Sequence, residues 1–104
     1  MGVDITWRNV TGEPLEQVGD SDGFLAQAIA RAQQAAGDFP VLTAIDLYGD
    51  GLIMPPQTSA FQKELETIRD NTADVAARIQ LGNLISLARS VDTVPGSYLE
   101  YLGD

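Results

Sequence analysis

The sequence predicts an α+β protein with a small sheet of about four strands and three helices on one face of that sheet. Two periodicities support this class. In some segments apolar and polar residues alternate, as in a half-buried strand, and in others apolar residues recur every three to four positions, as in a helix. The chain has 104 residues, of which 44% are hydrophobic. This length is enough for one core, so residues 1–104 are expected to form a single domain.

The first third of the chain is predicted to contain one strand and one helix. Alternation over 3–8, with Val3, Ile5 and Trp7 on one face, predicts the strand. An apolar stripe over 24–36 predicts the helix, which Gly37 would end. Three polar residues precede this helix and could cap it by accepting its first backbone amides: Asp20, Ser21 and Asp22.

Two strands are predicted in the middle of the chain, over 41–47 and 52–54, with a turn over 48–51 between them. Pro55 and Pro56 would end the second strand, because proline has no amide hydrogen to donate to a ladder.

Two helices and a last strand complete the prediction. One helix begins at Pro56 or Ser59 and reaches about Arg69, the next runs from 71–72 to about Ser90, and the strand covers 97–102. The predicted order is therefore β-α-β-β-α-α-β. The last helix is expected to place its apolar residues in the core: Val75, Ala76, Ile79, Leu84, Leu87, Ala88 and Val91.

The composition narrows the possible functions. The chain contains neither cysteine nor histidine, so it has no disulfide, no thiolate metal site and no histidine base. Its net charge of −9 disfavours binding to nucleic acid or to an anionic membrane and favours a basic protein partner. The sequence shows no leader-like start and no apolar run long enough to cross a membrane, so a cytoplasmic location is expected.

Residues 20–23, Asp-Ser-Asp-Gly, share acidic residues and a glycine with calcium-binding loops. Such a loop needs a glutamate at its twelfth position, where counting from Asp20 places Arg31. Helix capping is therefore the expected role of this segment.

Asp46 and Asp50 flank Tyr48 and Gly49 in the predicted turn, and two interpretations of this carboxylate pair stay open. The acids could bind a divalent cation, or act as acid and base in a small homodimeric enzyme or ligand-binding protein. Alternatively, they only stabilise the turn, as Asp and Gly commonly do. No third ligand and no nucleophile motif accompany them, so no metal site, cofactor or catalytic residue is predicted.

The stretch from Phe39 to Asp50 ends in Asp-Leu-Tyr-Gly-Asp, and Met54-Pro55 leads into a helix containing Glu64-Leu65-Glu66. The last seven residues read Tyr-Leu-Glu-Tyr-Leu-Gly-Asp. In these segments the chain resembles a group of small, uncharacterised bacterial proteins with an Asp-x-Tyr-Gly-Asp turn and a Tyr-Leu-x-aromatic-x-Gly-Asp end. It differs from that group at 51–53, where Thr-Val-Phe would be expected.

The size and acidity of the chain are similar to those of immunity proteins, which neutralise toxins delivered between bacteria. By this analogy the chain is expected to be a protein-binding module without enzymatic activity that covers the active site of a basic toxin domain. Exposed tyrosines beside acids favour such binding, and Tyr48 with one of Tyr98 or Tyr101 is expected to be exposed. Six residues are predicted to contact the partner: Asp46, Tyr48, Asp50, Glu64, Glu66 and Asp70.

Overall fold

The α+β class is confirmed by a computed structural model that describes residues 2–20, 22–35 and 38–103. In chain order, its strands and helices are β1 (Val3–Arg8), β2 (Pro14–Val18), α1 (Phe24–Gln34), α2 (Pro40–Thr43), β3 (Asp50–Ile53), α3 (Gln57–Asp70), α4 (Val75–Ser90) and β4 (Tyr98–Gly103), with a short 3₁₀ turn at Val91–Thr93 before β4. Three predicted features lie outside the described residues: Ser21 as a cap, the helix end at Ala36 and Gly37, and the final Asp104.

The four strands form one antiparallel sheet in the order β2-β1-β4-β3. The pairing of β1 with β4 sets Ile5 opposite Tyr101 and Trp7 opposite Leu99. Because side chains alternate along a strand, these residues share one face, and Ile5, Leu99 and Tyr101 belong to the hydrophobic core that the helices complete.

Each of the three long helices supplies part of this core. Leu25 and Ile29 of α1, Phe61 and Leu65 of α3, and Leu84 of α4 are fully buried. The opposite face of the sheet includes exposed Leu52 and Leu102. The helices therefore cover one face, as the sequence predicts, and no helix of the described residues is long and apolar enough to span a membrane.

The chain order differs from the prediction at two places. Residues 14–18 form strand β2, where no strand is predicted. Residues 40–43 form helix α2 and residues 44–47 belong to no strand, so the strand predicted over 41–47 is wrong. Most of β2 is exposed, so its sequence lacks the alternation of apolar and polar residues that predicts a strand. Hydrogen bonding to β1 stabilises it. Pro40 stands at the first helical position of α2, which its fixed φ suits.

The buried face of α4 also differs from the prediction. Val75, Ala76 and Ile79 are exposed, while Leu81 and Ile85 are buried in the core. Apolar residues occur around more than one side of α4, so periodicity alone selects the wrong side for its first two turns.

Candidate functional site

The turn between α2 and β3 is built around Asp46. Its Oδ1 accepts a hydrogen bond from the amide of Tyr48 at 2.9 Å, and its carbonyl oxygen accepts one from the amide of Gly49 at 3.2 Å. A Cβ at position 49 would lie 2.6 Å from Asp46 Oδ2, so a side chain there would displace this carboxylate. The carboxylate of Asp46 therefore has a defined role in stabilising the turn.

Strand β4 anchors this turn to the sheet. The amide of Gly103 donates to the carbonyl of Gly49 at 2.6 Å, and the amide of Asp46 donates to the Tyr101 hydroxyl at 3.4 Å. A side chain at Gly103 would collide with the carbonyl of Leu47. The turn is thus held against the end of β4 by backbone contact, so its side chains project from a fixed position.

Exposed apolar and acidic side chains lie together at this turn and on the adjoining strands. Tyr48 is 72% exposed, Leu52 54% and Leu102 46%, although all three are large and apolar. The register sets Asp50 opposite Leu102 and therefore places Asp50, Leu52 and Leu102 on the sheet face that the helices leave uncovered. We call this set the turn surface: Asp46, Tyr48, Asp50, Leu52 and Leu102.

The turn surface lacks any counter-charge of its own. Residues 46–54 include Asp46 and Asp50 but neither lysine nor arginine. Both carboxylates are exposed to solvent. Arg8 lies on the same sheet face but pairs with Glu100, and among the described residues neither Asp46 nor Asp50 forms an ion pair. The surface therefore combines apolar area with two carboxylates that have no ion-pair partner there.

Glu64, predicted to contact a partner, lies inside the protein and is only 7% exposed. Its two carboxylate oxygens accept the amides of Val41 and Leu42, at 3.1 and 3.0 Å. It caps the N-terminus of α2, and we exclude it from the candidate surface.

Glu66 and Asp70 are accessible but lie in other surroundings. Glu66 accepts a hydrogen bond from Gln62 and pairs with Arg89 of α4 at 3.9 Å. Asp70 ends α3 and lies 3.6 Å from the guanidinium of Arg69. Both acids have a neighbouring arginine, in contrast to the acids of the turn.

Two apolar members of the turn surface were missed by sequence reasoning. Leu52 and Leu102 both occur in predicted strands, where an apolar residue is normally assigned to the core. The exposure of Leu52 could have been inferred from alternation. Side chains two positions apart share a face of a strand, and the charged Asp50 marks its face as the solvent side.

The expectation for the tyrosines is met in part. Tyr48 is exposed, as predicted, whereas Tyr98 is half-buried and Tyr101 is buried. Tyr101 stays in the core because its strand register points it toward the helices.

A wider groove of about 610 Å³ lies between α1 and the α3–α4 connection. Phe24, Ala32 and Ile68 line it, and the carboxylate of Asp74 in its wall already accepts the amide of Ala77 at 3.0 Å to cap α4. Gln27 and Arg31 also line it, but within the described residues no buried polar side chain of its wall lacks a hydrogen-bond partner, so we do not choose it as the candidate site.

Comparison with protein-family models, with curated proteins and with solved structures found no match for this chain. Within the described residues, no group of three or more acidic side chains is placed to hold a metal ion. We therefore select the turn surface as the candidate site because of its geometry and charge.

Proposed function

We propose that this protein binds another protein through the turn surface. The observation that carries the proposal is the exposure of Tyr48, Leu52 and Leu102 beside two acids without a basic neighbour in the same segment. Apolar patches rimmed by polar groups are typical of protein-binding sites, and tyrosine contributes large contact area there.

Charge supports a basic partner. The net charge of −9 attracts a positively charged protein at long range, and Asp46 and Asp50 supply negative charge at the surface itself. The most concrete form of the proposal is a cytoplasmic immunity protein that covers the active site of a basic bacterial toxin domain. Its support is the size and acidity of the chain together with the turn surface.

The test is binding of the purified chain to the basic proteins encoded beside it, measured by surface plasmon resonance at low and high salt. The test variant combines Asp46→Asn with Asp50→Lys. Asparagine keeps the oxygen that accepts the Tyr48 amide, so the turn should stay folded while the surface loses its negative charge. We expect association to slow by about tenfold or more at low salt, because charges at an interface mainly govern the rate of encounter.

A matched control carries Asp22→Asn and Asp92→Lys, which change the net charge equally at exposed positions outside the turn surface. Tyr48→Ser tests the apolar contact separately and should increase the dissociation rate. Equal rates for the test variant, the control and the parent chain would exclude the turn surface as the contact. Heat released on titration with Mg²⁺ or Ca²⁺, and lost in the Asp46→Asn variant, would favour the cation-binding alternative.

A further inference from the structure

β3 is an edge strand with one unused side. It pairs with β4 alone, at the end of the sheet order β2-β1-β4-β3. Among the backbone hydrogen bonds of the described residues, none joins the outer edge of β3 to another segment. Such an edge presents amides and carbonyls on which an extended chain can form a further strand.

A narrow groove of about 230 Å³ runs beside this edge. One wall comes from α2 and the residues that follow it, and the other from β3. The lining residues are mainly apolar: Pro40, Val41, Ala44, Ile45, Leu52, Ile53, Gln57 and Tyr101. A strand added to β3 would therefore lie beside this groove, and one of its side chains could enter it.

Gly51 allows the Tyr101 ring to reach the groove. It lies opposite Tyr101 in the β3–β4 ladder, and a Cβ at position 51 would collide with the Tyr101 ring. The absence of a side chain at Gly51 leaves the edge of that ring at the groove, although Tyr101 is otherwise buried. A side chain entering from an added strand would meet Tyr101 and Ile53.

We propose that the partner binds by adding an extended segment to β3, with one apolar side chain in the groove and lysine or arginine on either side of it. This inference rests on the proposed function and specifies the partner's chemistry. In a strand, side chains alternate, so the neighbours of the apolar residue project to the outer face beside Asp50 and Leu52. Asp46 and Asp50 select basic residues at those positions by charge complementarity.

Two other occupants fit the groove less well. Small-molecule sites usually exceed roughly 300 Å³, which is more than this groove provides. A second copy of the chain also carries a net charge of −9 and has no basic residue in β3, so it offers no positive charge to Asp46 and Asp50. A basic extended peptide meets neither objection.

The probe is an acetylated and amidated peptide of eight residues, alternating lysine and valine, added to the ¹⁵N-labelled full chain. We expect amide shifts at 50–53 and in α2. Two N-methylated versions, each blocking alternate amides, keep the same charge and side chains. Because alternate amides point to the same edge of a strand, one version should lose binding by about tenfold or more and the other should retain it.

Protein variants test the groove separately. Ala44→Trp places a large side chain at an exposed position in the groove wall and should abolish peptide binding. Ala73→Trp, at an exposed alanine outside this groove, should leave it unchanged.

Edge addition is overturned if the unmodified peptide does not bind at millimolar concentration, if both N-methylated versions bind as it does, or if the shifts lie away from β3. Suppose that one of these results is found and that the Asp46→Asn/Asp50→Lys variant still associates more slowly with the whole partner. The turn surface would then remain the proposed contact, and only the added strand would be rejected. If that variant binds the partner as the parent chain does, the proposed function itself fails.

Discussion

Glu64 of α3 caps α2 from a distant part of the sequence: its Oε1 lies 3.0 Å from the amide nitrogen of Leu42. Its other oxygen accepts the amide of Val41 at 3.1 Å. Pro40, the first residue of α2, has no amide hydrogen, so one carboxylate satisfies the free amides of the two residues that follow. This contact positions α2 beside α3 and thereby sets one wall of the groove next to β3.

Replacement of this cap should destabilise the protein. We expect Glu64→Ala to lower the free energy of unfolding by about 2 kcal/mol, because one buried and one partly buried amide lose a charged acceptor. Urea denaturation measures the change. The matched control is Glu66→Ala on the same helix, where a half-exposed carboxylate should contribute about 0.5 kcal/mol or less. Equal decreases in the free energy of unfolding for the two variants would show that the Glu64 cap stabilises the protein no more than the exposed ion pair does.

Asp20 connects the start of β1 to the start of α1. Its buried carboxylate accepts the amides of Val3, Leu25 and Ala26 at 3.0, 3.0 and 2.9 Å. Asp20→Ala should therefore cost about 3 kcal/mol of unfolding free energy, since three amides lose a charged acceptor. The exposed neighbour Asp22, changed to alanine, should have little effect on the urea midpoint. A midpoint for Asp20→Ala equal to that of Asp22→Ala would contradict this assignment.

Gly51 should not tolerate a side chain. Gly51→Ala places a methyl group against the ring of Tyr101, and overpacking of this kind typically costs about 1–3 kcal/mol. Thermal unfolding followed by circular dichroism would detect the lower midpoint. The double variant with Tyr101→Leu should remove the clash, so the alanine should cost less in that background than in the parent chain.

Gly82, unlike Gly51, should tolerate replacement by alanine. It lies inside α4, and a Cβ there meets no atom within 4 Å. Gly82→Ala is therefore expected to raise the free energy of unfolding by about 1 kcal/mol, because alanine restricts the unfolded chain and favours helix. A lower urea midpoint for this variant would show that the open space is occupied in solution.

Two isoleucines of α4 provide a test of which side faces the core. Ile85 is buried and Ile79 is exposed. Ile85→Ala should cost about 2–5 kcal/mol through loss of packing, whereas Ile79→Ala should cost about 0.5 kcal/mol or less. Comparable costs in urea denaturation would mean that Ile79 is covered by another molecule or that α4 is rotated.

Much of the fold could be predicted from local patterns. Alternation identifies β1, and helical periodicity identifies α1 and α3, because each of these elements buries one face along its length. Asp20 was correctly expected to cap α1. A turn was predicted at 48–51, but it follows helix α2 instead of a strand, and β3 already begins at Asp50. The exposure of Leu52 and Leu102 was not predicted.

The rest could not be predicted because its causes are distant in sequence. The run from Val41 to Leu47 is apolar enough for a strand. Pro40 suits the start of a helix, but the cap from Glu64 and the packing of α2 on α3, which also stabilise that helix, involve residues far away in the sequence. Strand β2 is mostly exposed, so only its register with β1 defines it.

The sequence by itself determined the α+β class and the acidity, since these depend on composition and on contacts between near neighbours. Tertiary structure alone decided that Glu64 is an internal cap, that Ile79 is exposed, and that β3 has a free edge beside a groove. Burial and strand order depend on which elements meet in space, and residues far apart in the chain make those contacts.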